Sequence, residues 1–235
     1  MRFVKSRFEH PEWGTIAITR NPRARRIILR LRSDGIHITI PPIATKNDIE
    51  RAIAECAPKL LARKPQHEPA IIDKSYSYNS DNFTFSIGEH DKRVFQLRSK
   101  GKENLLLCPT GTDYSSAKMQ EWLRQVLKKA ITKVAKSILP ARLHSIALRH
   151  GLKYNKCQVR DTHTRWGSCS SQGNISLCIY LILLPDRLID YVLRHELCHT
   201  IHMNHGEEFW LQLDRLCQTD SKALRKELKN YRTGI

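Results

Sequence analysis

The chain has no long apolar run: nothing among its 235 residues approaches the roughly 18 apolar positions that a membrane-spanning helix needs. It also has no paired-cysteine pattern. Its seven cysteines are odd in number, scattered and free of any C-x-x-C pair, which excludes a disulfide framework and fits a reducing compartment. Ten glycines and ten prolines without a period exclude collagen-like and low-complexity architectures. Met1 to Arg7 include no apolar h-region and no cleavage site, so a cytoplasmic location is expected. Acidic residues are the clearest shortage: 23 Asp and Glu stand against 40 Lys and Arg, a net charge of +17.

What is present is an ordinary globular balance, 40% hydrophobic and 27% charged, enough for one large domain or two small ones. The positive excess sits early. Residues 1–150 hold 28 basic and 14 acidic side chains, whereas residues 151–235 hold 12 and 9. A basic N-terminal two-thirds favours contact with DNA or another polyanion. Charge that only keeps the chain soluble is the plainer reading. No membrane partner is implied, and nothing bears on oligomeric state.

Residues 1–110 read as a basic, β-rich N-terminal region and 111–235 as a catalytic region. Thr15–Thr19 alternates as a strand, and Arg26–Arg32, the turn Ser33-Asp34-Gly35 and Ile36–Ile40 read as a hairpin closed by Pro41-Pro42. Arg20, Arg23, Arg25 and Arg26 at its start make the Arg-rich outer face the candidate basic surface, although a solvated face is the commoner meaning of such a run. Thr45–Ala62 reads as a helix with Asp48 and Glu50 early and Lys59 and Arg63 at its end; Pro58 is expected to kink it or stop it early. Lys64–Ser80 reads as a loop, and Asn82–Ile87, Val94–Leu97 and Leu105–Cys108 as strands. From Ser115 the period turns helical, with Met119, Trp122, Leu123, Val126, Ala130, Ile131 and Val134 in one stripe, an interruption at Pro140 and an end at Gly151. No internal repeat stands out.

Leu184–Trp210 carries the chemistry. Pro185 and Asp186 suit a helix start, and Leu188, Ile189, Val192, Leu193, Leu197 and Ile201 supply its buried face. Mid-helix lies His195-Glu196-Leu197-Cys198-His199, the pattern H-E-x-x-H. Residues four apart are about 6 Å apart along a helix, so both imidazoles can converge on one ion. Glu196, about 100° round, stays near without ligating and can act as general base on a water that the ion acidifies. Eleven His and 12 Glu in 235 residues would give the motif by chance about 0.03 times, which disfavours two merely superficial histidines.

His205 and His202 are the candidates for a third ligand, with Glu207 and Glu208 behind them. Were the helix to continue, His195, His199 and His202 would lie nearly in line over about 10 Å and could not surround a tetrahedral ion. Asn204-His205-Gly206 reads instead as a helix stop from which His205 turns back, so His205 is favoured and His202 is held in reserve. Three nitrogens leave a fourth position for water, the mark of a catalytic zinc, one Zn2+ per chain. Cys198 points about 100° away from His199 and is a poor fourth ligand. A helix from Glu207, with Phe209, Leu213, Leu216 and Cys217 inside, is expected to pack on the motif helix and fix His205; Trp210 reads as core, and Ser221 caps a last helix that buries Leu224 and Leu228. Upstream, extended Cys157–Val159 precedes a hairpin, Arg165–Cys169 and Ile175–Leu177, that leads to the motif helix. An exposed strand there could pair with an extended peptide, or the hairpin is structural with Trp166 in the core. Arg165, His163 and Tyr191 stand open as oxyanion stabilisers, and Trp166 and His202 as substrate contacts.

Arg165-Trp166-Gly167-Ser168-Cys169-Ser170, Gly173-Asn174-Ile175, Leu184-Pro185, Ile189-Asp190-Tyr191-Val192, the 195–199 motif and Asn204-His205-Gly206-x-x-Phe209-Trp210 resemble the YgjP-like zinc metallopeptidases in order and spacing, strongly over 157–217 and loosely in 26–42. The resemblance implies an α+β fold, a β-rich N-terminal region followed by a zincin-like metallopeptidase core. It also implies His195, His199 and His205 as zinc ligands, Glu196 as general base and a protein or peptide substrate. H-E-x-x-H with the later His-Gly-x-x-Phe is similar, too, to the SprT/Spartan group, which cleaves proteins crosslinked to DNA, so DNA-associated proteins enter as substrates. Cys178 departs from the family, where Asn is expected after Ile-x-Leu, and leaves a local hydrogen bond open. The competing reading is a nucleic-acid-binding protein with a structural zinc and no hydrolytic activity.

Overall fold

The structure, a computed structural model, describes residues 5–32, 35–62 and 70–232. They fall into two compact units divided between Ala70 and Ile71. In the first, β1 (Lys5–His10), β2 (Gly14–Arg20), β3 (Ile28–Arg32) and β4 (Gly35–Ile40) form one sheet in the order β1-β2-β4-β3. β2 and β4 run parallel and the outer pairs antiparallel. Alternation sends Ile36, Ile38 and Ile40 of β4 to one face, where Ile16 and the helix residues Ile53 and Ala57 close a buried cluster. On the other face Arg7, Ala17, His37 and Arg30 stand in one cross-strand register.

The helix α1 (Lys46–Ala62) opens with a reciprocal cap: the Asp48 N–H donates to Thr45 Oγ1 at 3.2 Å and the Thr45 N–H to the Asp48 carboxylate at 3.0 Å. Contrary to expectation, Pro58 does not end α1, which runs on to Ala62. Pro58 and Ala54, whose carbonyl it leaves without a backbone donor, are both exposed, so water can take that carbonyl, while Ile53 and Ala57 hold the inner face. Ser33 and Asp34 of the expected turn, Arg63, and residues 64–69 of the expected loop lie outside the described residues. Gly35 enters β4 at φ +124°, where a Cβ would strike the Thr15 carbonyl, so the position needs glycine.

The second unit begins with β5 (Ser77–Asn79), β6 (Thr84–His90), β7 (Gln96–Lys100) and β8 (Glu103–Pro109), in the order β5-β6-β8-β7 with β6 and β8 parallel. No repeat is visible in the sequence, yet this sheet copies the strand order and directions of the first, and a helix follows each. Here it is α2 (Ala117–Arg149), which lays Leu123, Leu127, Ala130, Ile131 and Val134 into one core with Phe83, Phe85 and Leu106. Pro140 does not interrupt α2, contrary to expectation. Leu139, Leu143, Ile146 and Ala147 carry the buried stripe past it, and that packing outweighs one missing backbone bond. Because β5–β8 share this core, residues 71–110 pack with the helical part of the chain, a different line of division from the regional one read near residue 110.

Three short strands follow: β9 (Lys156–Arg160), β10 (Gly167–Cys169) and β11 (Asn174–Cys178), in the order β10-β11-β9. β10 and β11 form the expected hairpin, and β9 adds in parallel to β11. A 3-10 turn over Ile179–Leu183 leads to α3 (Asp186–Cys198), then α4 (Glu207–Cys217) and α5 (Ser221–Leu228). Mixed sheets ahead of helices give the expected α+β class.

Candidate metal centre

α3 is held firmly. Leu188, Ile189, Val192, Leu193 and Leu197 are buried along it, and Arg142 of α2 donates from Nε to Asp190 at 2.6 Å and pairs with Asp186 at the helix start. The helix ends at Cys198, with His199 as its C-cap, so the motif sits at the helix end and not in its middle. Ile201, read as part of the buried face, lies beyond that end and is 54% exposed. The His202 N–H donates to the Cys198 carbonyl at 2.9 Å, turning the chain so that His205 comes back over the motif.

Nitrogens of His195, His199 and His205 all lie within 4.8 Å of one another, and Nε2 of His205 is 3.1 Å from Nε2 of His195. Nδ1 of His199 is 3.0 Å from the His202 carbonyl, which takes its N–H and leaves Nε2 as a lone-pair donor. His202, the reserve ligand, thus supplies a backbone carbonyl, and its ring is outside the cluster. Burial, with the neighbouring His199, His205 and Arg225, pushes His195 down to about 3, so its imidazole is neutral and able to ligate. Three imidazoles converging in this way fit a divalent cation of zinc's preferences.

Beneath them lies Phe209, fully buried, its ring centroid 5.0, 4.6 and 4.6 Å from those of His195, His199 and His205. Sequence reasoning placed Phe209 in the core of α4; its role as floor of the cluster is signalled only by the spacing His205-Gly206-x-x-Phe209. Trp210, read as core, is only partly buried: its Nε1–H donates to the His205 carbonyl at 3.2 Å and fixes the residue that α4 was expected to fix.

Glu196 is 5% exposed, and its Oε2 has no partner among the described residues. Burial pushes its carboxyl up to about 8, against the charge of Arg165. The group fits there only because position 167 is glycine: a Cβ on Gly167 would be 2.5 Å from Glu196 Oε1. This clearance between β10 and α3 was not read from the sequence, although Trp166-Gly167-Ser168 contains it.

The remaining candidates divide. Arg165 is exposed and close enough for its charge to act on Glu196. Tyr191 is 2% exposed with its ring 5.9 Å from that of His195. Trp166 is partly buried against the core. His163 instead meets Asp161 at 3.3 Å and the Tyr180 ring. Cys198 is fully buried, its thiol directed to the Phe209 carbonyl at 3.5 Å and pushed up to about 12 by burial, outside the histidine cluster. Cys178 makes the bond that its departure left open: Sγ donates to the Thr162 carbonyl at 3.1 Å.

Residues 25–231 match the model of the YgjP-like, metallopeptidase domain family. Among solved structures, that of the metallopeptidase zymogen of Pyrococcus abyssi abylysin is similar at 18% identity, with 42% of this chain and 100% of that chain covered and a TM-score of 0.36. No curated protein matches the chain.

Proposed function

The chain belongs to the YgjP-like metallopeptidase family, and from that premise we propose that His195, His199 and His205 hold one zinc ion while Glu196 moves the proton of peptide hydrolysis. The observation that carries the proposal is the convergence of three imidazoles within 4.8 Å beside a buried carboxyl. When bound, the ion supplies Lewis-acid polarisation of a carbonyl and acidifies a water. Glu196 takes a proton from the water whose oxygen attacks the carbonyl carbon. It then delivers that proton to the amide nitrogen as the C–N bond breaks, leaving a carboxylic acid and an amine. The charge of Arg165 opposes the burial that favours the protonated form of Glu196. β10 is an edge strand whose Gly167 touches Glu196, so an extended peptide pairing along it would pass the base.

A DNA-associated protein is the finer substrate reading, supported by the +17 charge and by exposed Arg23, Arg25, Arg26 and Arg30. Arg20 is not available to it, since its guanidinium donates to the carbonyls of Pro41, Pro42 and Ala44. DNA binding that is absent even at low salt would dismiss this reading.

The test of the site is elemental analysis of wild type, His205→Ala, His202→Ala and Glu196→Gln beside a chelator-controlled cleavage assay. One zinc per chain is expected in all but His205→Ala, with cleavage lost in Glu196→Gln. Cleavage retained by Glu196→Gln refutes the assigned base, and zinc without any cleavage favours a structural metal.

A further inference from the structure

α5 brings an unused pair of cations to the rim of the histidine cluster. Its inner face is anchored: Leu224 and Leu228 pack on the core, the Ser221 N–H donates to the Asp214 carboxylate at 2.8 Å, and Glu227 pairs with Arg187 of α3. Asp220, and not Ser221 as the sequence suggested, caps the helix by accepting from the N–H groups of Lys222, at 2.8 Å, and Ala223. The acids near this end are thus engaged. Lys222 and Arg225, three residues apart, therefore share the outer face.

Both lie over one indole. The Arg225 guanidinium carbon is 5.3 Å and the Lys222 Nζ 5.8 Å from the centre of the Trp210 ring. Neither has a carboxylate within ion-pair distance among the described residues, and both are exposed. The same indole is 5.8 Å from the His205 ring and hydrogen-bonded to the His205 carbonyl. The guanidinium is accordingly no more than about 11 Å from a residue of the cluster, the reach of about three extended residues. A guanidinium resting on an aromatic face keeps its edge N–H groups free for a bidentate anion, and carboxylate is the planar anion that a polypeptide carries.

We propose that Arg225, with Lys222 beside it, forms a carboxylate-binding subsite that selects polypeptides bearing an acidic group within about three residues of the cleaved bond. This deepens the peptidase reading and rests on it. The carboxylate is either an Asp or Glu side chain or a free C-terminus.

Three labelled, N-acetylated peptides of otherwise neutral sequence separate these cases: one with a single Glu and an amidated end, one without Glu but with a free C-terminal carboxylate, and one fully neutral. Binding to the full chain is read by fluorescence anisotropy in chelator, and cleavage by mass spectrometry with zinc. At least one carboxylate peptide is expected to bind about tenfold more tightly than the neutral one, and which of the two does so identifies the source. Lys222→Glu with Arg225→Glu should reverse the preference toward a Lys-bearing peptide, and Arg225→Lys should keep only part of it. Equal binding of all three peptides, or a preference unmoved in the double variant, overturns the subsite. Preferential binding without cleavage by the zinc-loaded chain leaves the subsite and defeats the peptidase reading; cleavage without preference does the reverse.

Discussion

Glu196 is an acid placed where its charged form is disfavoured, and that has a measurable sign. The carboxyl loses its proton near 4.5 in the unfolded chain but near 8 in the metal-free fold. Its contribution to stability is therefore full below pH 4.5 and is lost as pH rises to 8. His195 runs the other way: with its value lowered from 6.5 to about 3, its contribution is present above pH 6.5 and lost as pH falls toward 3. A glutamine at position 196 cannot ionise. In chelator, Glu196→Gln should thus gain melting temperature over wild type progressively between pH 5 and pH 8. A gap that stays constant over that range would show that the carboxyl is not held protonated by burial. The residues of this site were readable from sequence wherever local spacing encodes them: His199 four positions after His195, and a break beyond the motif that returns His205, although the helix stops at Cys198 and Gly206 is the N-cap of α4 at φ −74° and not the stop. Gly167 and Arg225 escaped because they reach the site by folding from other elements, with no spacing to announce them.

Among the elements, α2 shows where a local rule yields to packing. Its stripe from Met119 to Val134 was evident in the sequence, and the break assigned to Pro140 was not found, since Leu139 and Leu143 bury themselves on either side of it. Pro140 still removes one backbone donor from a helix interior. Pro140→Ala should raise the stability of the second unit by about 2 kcal/mol, the helix penalty of proline less the entropy it removes from the unfolded chain, as read by urea unfolding. Destabilisation instead would mean that the ring itself fills space in the core. The antiparallel pairs β3–β4 and β10–β11 were legible because their strands follow one another closely in the sequence. The parallel pairings β2 with β4, β6 with β8 and β9 with β11 join strands separated by intervening chain, where neither turn nor period specifies a partner.

At the scale of the molecule, two sheets of the same topology meet different ends. The one built from β5–β8 is bound into the core that supports α3, while the one built from β1–β4 shares its buried cluster with α1. Calorimetry of the full chain should accordingly resolve two transitions, and zinc should raise only the one belonging to residues 71–235, by about 2.7 kcal/mol at a hundredfold excess over its dissociation constant. A single transition moved as a whole by zinc would contradict that division. The two hydrophobic clusters have no residue in common, so damage at Ile16 or Ile38 and damage at Leu193 or Leu197 should accumulate independently. Selection can then rework the arginine-bearing sheet, its charge and whatever it attracts, at a pace of its own, without retuning the geometry that the catalytic helices must keep.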